Sequence, residues 1–365
     1  MLLRTPFLII AIPFLIFLFS CEELKESTSA KKNSQGAYGE IILVMDSNQW
    51  ADTLGEGIRH VFQKAFPALP QGEAYFNLRH VRPAKFEGLL KNHSTIMYVT
   101  TFDNNSRANQ KIQSYFSTDS KEKIEKNKNQ FVFTRNDEFA RNQLVIHLFG
   151  RTEEELLTNI RNNDERLIDL IDKSERNRIY KDLYKGKEEK ELTNYIRDKN
   201  GYGLRIPFGY DLATEKSDFL WFTQLGTDLF RNLIIATKPY QSEADFAKDS
   251  VVQWRNQLGK TYLFGSGEKD TVSYMLTDEK YVPVFVDTVE FNRKFAIEYR
   301  GLWKLKNNTR GGPFLTYVFV DESRDTMYYI EAFLYAPNKI KRHIMRELEA
   351  VLHSFKSKSD LENNL

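Results

Sequence analysis

The residues best suited to titrate near neutrality or hold a metal are the six histidines, His60, His80, His93, His147, His343 and His353, and no two stand three to five positions apart. A zinc site would have to be assembled from distant segments, so no metal site is predicted. Cys21 is the single cysteine, which excludes an intrachain disulfide and a thiolate-rich metal centre. Ser266 lies directly between Gly265 and Gly267, a loop pattern and not the Gly-x-Ser-x-Gly elbow of a nucleophile. Neither Gly-x-Gly-x-x-Gly nor a phosphate loop occurs, and no motif calls for a cofactor. The paired carboxylates Glu188 with Glu189, Asp321 with Glu322 and Glu347 with Glu349 read as surface charge in a chain with 50 acidic residues, because glycosidase chemistry needs two in a cleft. No catalytic residue is assigned.

Two groups of residues are harder to read as scaffold alone. Arg300-Gly-Leu-Trp303 followed by Gly311-Gly312-Pro313-Phe314 sets a guanidinium, an indole, a double glycine and a fixed proline around one loop. Either this is a tight bulge with Trp303 in the core, or Arg300, Trp303, Gly311, Gly312 and Phe314 line a ligand groove. The second group is Asp46, Ser47, Asn48 and Trp50 at the end of the first strand, where open α/β sheets place their sites and where helix capping would use the same residues. The basic run Lys339 to Arg346 alternates with an apolar stripe, as a solvated helix face does. Its other reading is contact with acidic lipid or glycan.

The N-terminus supplies an address. Arg4 precedes a nearly unbroken apolar run from Phe7 to Phe19, interrupted by Pro13, and Leu18-Phe19-Ser20-Cys21 follows. The run is short of the roughly 20 residues a bilayer span needs, so it reads as an export signal over residues 1–20. Leu18 to Cys21 resembles the bacterial lipobox, which implies acylation of the Cys21 thiol and cleavage before it. Several acyl chains hold far more firmly than one, each buried methylene adding about 0.8 kcal/mol. Residues 21–36 are charged and small and read as a lipidated, flexible tether. The net charge of +2, with both signs spread along the chain, argues against nucleic acid as a partner.

The elements that must position any site alternate between strand and helix. Glu40 to Met45 reads as a buried strand, and Leu54, Ile58, Phe62 and Phe66 as an amphipathic helix ended by Pro67. Tyr75 to Val81, Thr95 to Thr101, and the paired runs Phe131 to Thr134 and Leu144 to Phe149 read as strands. Thr152-Glu-Glu-Glu155 opens one long helix to about Tyr184. The charged run Lys185 to Lys190 breaks the pattern and marks a boundary. Beyond it, strand-like segments begin at Leu204, Phe219, Asn232, Thr271, Val282 and Phe295. Phe314 to Val320 and Thr326 to Tyr335 form a hairpin, and Pro337-Asn338 caps a last helix with Ile340, Ile344, Leu348, Leu352 and Phe355 on one face.

The predicted class is α/β with α+β character: two α/β sandwich domains with mainly antiparallel or mixed sheets, after a signal peptide and tether. The ranges are 37–190 for the N-terminal domain, 191–356 for the C-terminal domain and 357–365 for a disordered tail. Hydrophobic residues at 41% and aromatics at 13% suffice for two cores. Residues 200–356 are similar in element order to the PsbP-like α/β/α sandwich, an analogy of fold that carries no function. Cys21, Ile41 to Trp50, Leu69 to Glu73, Arg300 to Trp303, Gly311 to Phe314 and Ala336 to Arg342 together resemble a family of uncharacterised lipoproteins of Gram-negative envelopes. The resemblance implies an exported, lipid-anchored protein and brings no activity or catalytic residue with it. Attached through Cys21, the chain is expected at the outer membrane, on its periplasmic face or at the cell surface, with an envelope protein or glycan as partner. A binding or assembly module is expected, an envelope hydrolase being the alternative; converging ionisable groups in a cleft would favour the hydrolase, a shallow apolar patch the module.

Overall fold

Thr95–Thr101 and Leu144–Gly150 are buried at every position, the mark of strands covered on both faces. The computed structural model describes residues 31–127, 129–263 and 273–362, so Cys21, the rest of the leader and Gly265 to Gly267 lie outside the described residues. The first sheet holds β1 (Glu40–Val44), β2 (Asn77–Val81), β3 (Thr95–Thr101), β4 (Val132–Asn136) and β5 (Leu144–Gly150) in the order β2-β1-β3-β5-β4. The first four run parallel, and β4 returns antiparallel along β5. Helices α1 (Ser47–Ala51) and α2 (Thr53–Phe62) follow β1, α3 (Arg107–Gln113) and α4 (Thr118–Lys126) follow β3, and α5 (Glu153–Asn162) and α6 (Asp164–Leu183) follow β5. Leu54, Ile58, Leu156, Ile160, Leu167 and Ile171 pack on the Ile41, Met97 and Ile146 face. Ile112, Phe116 and Ile124 cover the other.

The second half begins with α7 (Lys190–Asn200) and forms an antiparallel sheet of β6 (Asp211–Glu215), β7 (Phe219–Leu225), β8 (Phe230–Pro239), β9 (Met275–Asp278), β10 (Phe285–Phe291), β11 (Lys294–Leu305), β12 (Gly311–Asp321) and β13 (Thr326–Tyr335). Its order is β10-β11-β12-β13-β8-β7-β6, with β9 beside the far end of β11. Helix α8 (Lys248–Tyr262) covers one face through Val251 and Leu258. Helix α9 (Arg342–Leu352) covers the other through Met345, Leu348 and Leu352. A short α10 (Lys358–Glu362) follows. Phe66 and Leu69, from the loop after α2, join this second core, so the two halves share apolar packing.

The two-domain architecture with one mixed and one antiparallel sheet is as expected from the sequence. Local differences have physical causes. The expected single helix from Thr152 breaks at Asn163, whose φ of −129° and ψ of 26° leave the helical region, although Thr152 Oγ1 does accept from Glu155 N at 3.2 Å. The charged run expected to end the pattern leads straight into α7, which closes on Gly201 at φ 73°, a left-handed position open to glycine. Leu204 to Tyr210 is not a strand; β6 starts at Asp211. The last helix starts at Arg342 and not at Pro337, because Asn338 sits at φ 56°, and Ile340 consequently points to solvent. Lys31 to Gly36, expected within the tether, pair by single bridges with Arg141 and His93. Part of the expected tail is α10, where Lys294 meets Asp360 at 2.9 Å.

Candidate functional site

Helix α9 lies between the second sheet and α6 of the first half, and its sequence fits both neighbours. The leucines face the sheet, while the basic run, in contrast to the solvated face its pattern predicts, is buried at Lys341, Arg342 and Arg346. Arg346 donates to Asp172 Oδ1 on α6 and, at 3.2 Å, to Tyr75 O. Glu73 accepts from the backbone of Lys341 at 2.8 Å and of Arg342 at 2.9 Å, so a side chain of the first half supplies acceptors to the start of a helix in the second. Two segments quoted above for their family resemblance, Leu69 to Glu73 and Ala336 to Arg342, thus meet in space.

Beside this contact opens a cleft of about 580 Å³, within the size range of ligand sites, walled by Lys64 to Tyr75 and α6 on one side and by β10, β11 and the end of α9 on the other. At its floor Glu349 takes Arg176 on one oxygen at 2.8 Å and Arg300 on the other at 3.0 Å. Arg300 also grips Glu298 through two bonds, at 2.5 and 3.0 Å. Tyr75 donates to Asp172 at 2.5 Å, and Tyr317 donates to Glu349 at 3.4 Å. The ring of Phe66 lies under both Arg300, at 5.6 Å, and Arg346, at 5.4 Å.

These contacts set the protonation states. Burial alone would raise the Glu349 carboxyl, yet Arg300 and Arg176 outweigh it and hold it far below the ordinary range. Burial would lower Arg300, but Glu298 and Glu349 raise it well above its usual value. Burial pushes the Asp172 carboxyl up against the pull of Arg346. His353, whose Nδ1 is 3.3 Å from Asn292 Oδ1, is lowered by burial and by Arg176 to about 3 and stays neutral. The floor is therefore a set of paired ions next to a neutral imidazole.

The residues singled out from the sequence fall in different places. Arg300 and Trp303 point to opposite faces of β11, since side chains alternate along a strand, and the expected groove of Arg300, Trp303, Gly311, Gly312 and Phe314 does not form. Trp303, 5% exposed, packs on Phe333 beneath α8 and donates from Nε1 to Leu334 O at 3.1 Å. The double glycine has no positive φ; a Cβ on Gly312 would stand 2.0 Å from Leu334 O and one on Gly311 2.6 Å from Trp303 O, so close backbone approach is what excludes a side chain. Phe314 lies under the guanidinium of Arg255, which is buried with Glu331 at 2.9 Å.

Asp46 stands at the carboxyl end of β1, next to that of β3. It caps α1, accepting from Asn48 N at 2.7 Å, and takes Ser106 Oγ at 2.7 Å. Ser47 and Asn48 make no side-chain bond there, and Trp50 stacks on His80 under Arg59. Sequence reasoning missed the partners that complete this knot: Gln49, which reaches Thr101 and Glu153, and Asn109, which ties Thr100 to the Asn104 turn. Only the fold, by placing β1 beside β3, brings them together. Among the described residues no group of three or more His, Cys, Asp or Glu could hold a metal ion, and no helix is long and apolar enough to cross a membrane.

No curated protein matches the chain. Among solved structures, the Saccharomyces cerevisiae Ran-binding protein Mog1p is similar at 10% identity over 43% of this chain and 90% of that one, with a TM-score of 0.28. A point mutant of Mog1 gives 9% identity, the same coverages and 0.27. Residues 34–184 match a domain of unknown function, DUF8532, and residues 188–354 match a second one, DUF4837, so the chain is built from two domains of unknown function joined between α6 and α7.

Proposed function

We propose that the chain is a lipid-anchored cell-envelope protein, held to the outer membrane through an acylated Cys21, whose folded body works as a binding or assembly module. The observation that supports this reading is the state of the interdomain cleft. Several ionisable groups converge there, which taken alone would favour a hydrolase, but Arg176, Arg300, Glu298 and Glu349 are consumed in pairs. A general acid or base must be able to exchange a proton near the working pH. Glu349, held far below the carboxylate range, and His353, lowered to about 3, are both tuned away from that role, while Asp172, pushed up by burial, is occupied by Tyr75 and Arg346. Paired charge instead ties α6 and β11 to α9 at the floor, which suits a preformed surface for capture of a partner.

The test joins lipid labelling with site-specific crosslinking in intact cells. Labelled palmitate should enter the wild-type chain and not Cys21→Ala, and a photoreactive amino acid at position 287, on the cleft wall, should yield a discrete adduct that the same group at exposed Lys126 does not. Palmitate-free wild-type protein, or identical adducts from both positions, would refute the reading. Release of fragments from peptidoglycan, abolished by Glu349→Gln, would install the hydrolase in its place.

A further inference from the structure

The wall of the cleft opposite α6 is a sheet edge. Strand β10 is outermost, runs seven residues without a register shift, and is exposed at Phe285, Val286, Asp287, Thr288 and Glu290. The hairpin joining it to β11 turns through Asn292 and Arg293, both at positive φ of 49° and 68°, a two-residue turn that makes Phe291 and Lys294 a hydrogen-bonded pair. Hydrogen-bonded and non-bonded pairs alternate along an antiparallel ladder. The N–H and C=O groups of Val286, Thr288 and Glu290 therefore point away from β11, and Thr288 and Glu290 border the cleft. The opposite edge, β6, is blunted: five residues long, it carries a bulge between Leu212 and Thr214, and Glu215 is tied to Lys199 at 2.8 Å. Among the described residues the β10 edge is longer and has no bulge and no such tie.

Charge says what fits. The basic residues of the cleft are spent, Lys64 on Asp164, Lys173 on Asp169, and Arg176 and Arg300 on Glu349 and Glu298. Among the described residues the carboxylates of Glu165 and Asp287 have no such partner, while Glu290, three positions from Asp287, projects to the other face of β10. A second copy of this edge would add its own Asp287 to the two unpaired acids of the cleft, and like charges beside each other are destabilising. We infer that β10 is a docking edge for an extended basic polypeptide segment, which adds as a further strand in the cleft and places Lys or Arg beside Asp287 and Glu165 on the cleft side. This deepens the binding reading of the cleft and rests on it.

The experiment titrates the full chain in detergent micelles with a fluorescent octapeptide of alternating Lys and Val, and with its Glu-Val counterpart. The Lys-Val peptide should bind and the Glu-Val peptide should not. Asp287→Lys combined with Glu165→Lys should weaken binding at least tenfold. Thr288→Pro, which removes an N–H that no ladder bond uses, should do the same with the fold kept. Where that variant melts early, a Lys-Val peptide N-methylated at alternate residues replaces it and should bind at least tenfold more weakly to the unaltered protein. No binding of the Lys-Val peptide, equal binding of the Glu-Val peptide, or indifference to both the proline and the N-methyl groups would overturn the edge. Adducts from position 287 in cells alongside any of these results would leave the cleft a binding surface with a different occupant.

Discussion

Glu349 is the counter-ion of half-buried Arg176 and shares buried Arg300 with Glu298, so its removal is costly. Glu349→Gln should lower unfolding free energy by about 3 kcal/mol in urea titration, and an unchanged midpoint would disprove the pairing. Trp303→Ala should cost about 3–5 kcal/mol, with loss of the cooperative melt, because the indole is core and not groove. Two histidines make a pH signature: burial lowers His147, stacked between Tyr98 and Phe133, and His353, each to about 3. Unfolded, both take a proton near 6.5, so their contribution to stability is whole above that pH and is lost as pH falls toward 3. Around pH 5 each should contribute a slope of about 1.4 kcal/mol per pH unit, and His147→Phe should remove its share, read from unfolding free energy against pH. None of this was legible beforehand, since a lone histidine looks the same in sequence whether it meets water or rings.

At the scale of elements, much was legible. The strands at Thr95 and Leu144 and the β12–β13 hairpin declare themselves by apolar runs and turn residues, which are local signals. What failed was local pattern overruled by a distant partner. The basic face of α9 looks solvated until α6, over 170 residues away, supplies Asp172. Glu73 is equally mute, because its acceptors serve a helix in the other half. Glu73→Ala should cost about 1 kcal/mol, and the amides of Lys341 and Arg342 should exchange faster with deuterium while those of α8 do not change. Equal protection in variant and parent would show that the cap is idle. The parity of β11 was available from the sequence too: Arg300 and Trp303 are three apart, an odd spacing that separates them in a strand.

For the whole molecule, the two halves should melt as one. Phe66 and Leu69 sit in the second core and α9 is gripped by the first half, so calorimetry should give a single transition with equal calorimetric and van't Hoff enthalpies. Two separated peaks would mean that the shared packing is too weak to couple them. Composition and element order sufficed to expect two domains. They held no trace of the cleft, whose walls come from Lys64 to Tyr75, α6, β10 and α9.

The position of α9 in the chain has a consequence for synthesis. Asp172 and Arg176 leave the ribosome well before Arg346 and Glu349 exist, so a nascent first half must carry its buried-to-be acids and bases, and the greasy side chain of Phe66, in water until the last helix is made. A message cut short before codon 342 would yield a product unable to hide them, and chaperones or proteases would have a ready flag by which to recognise it.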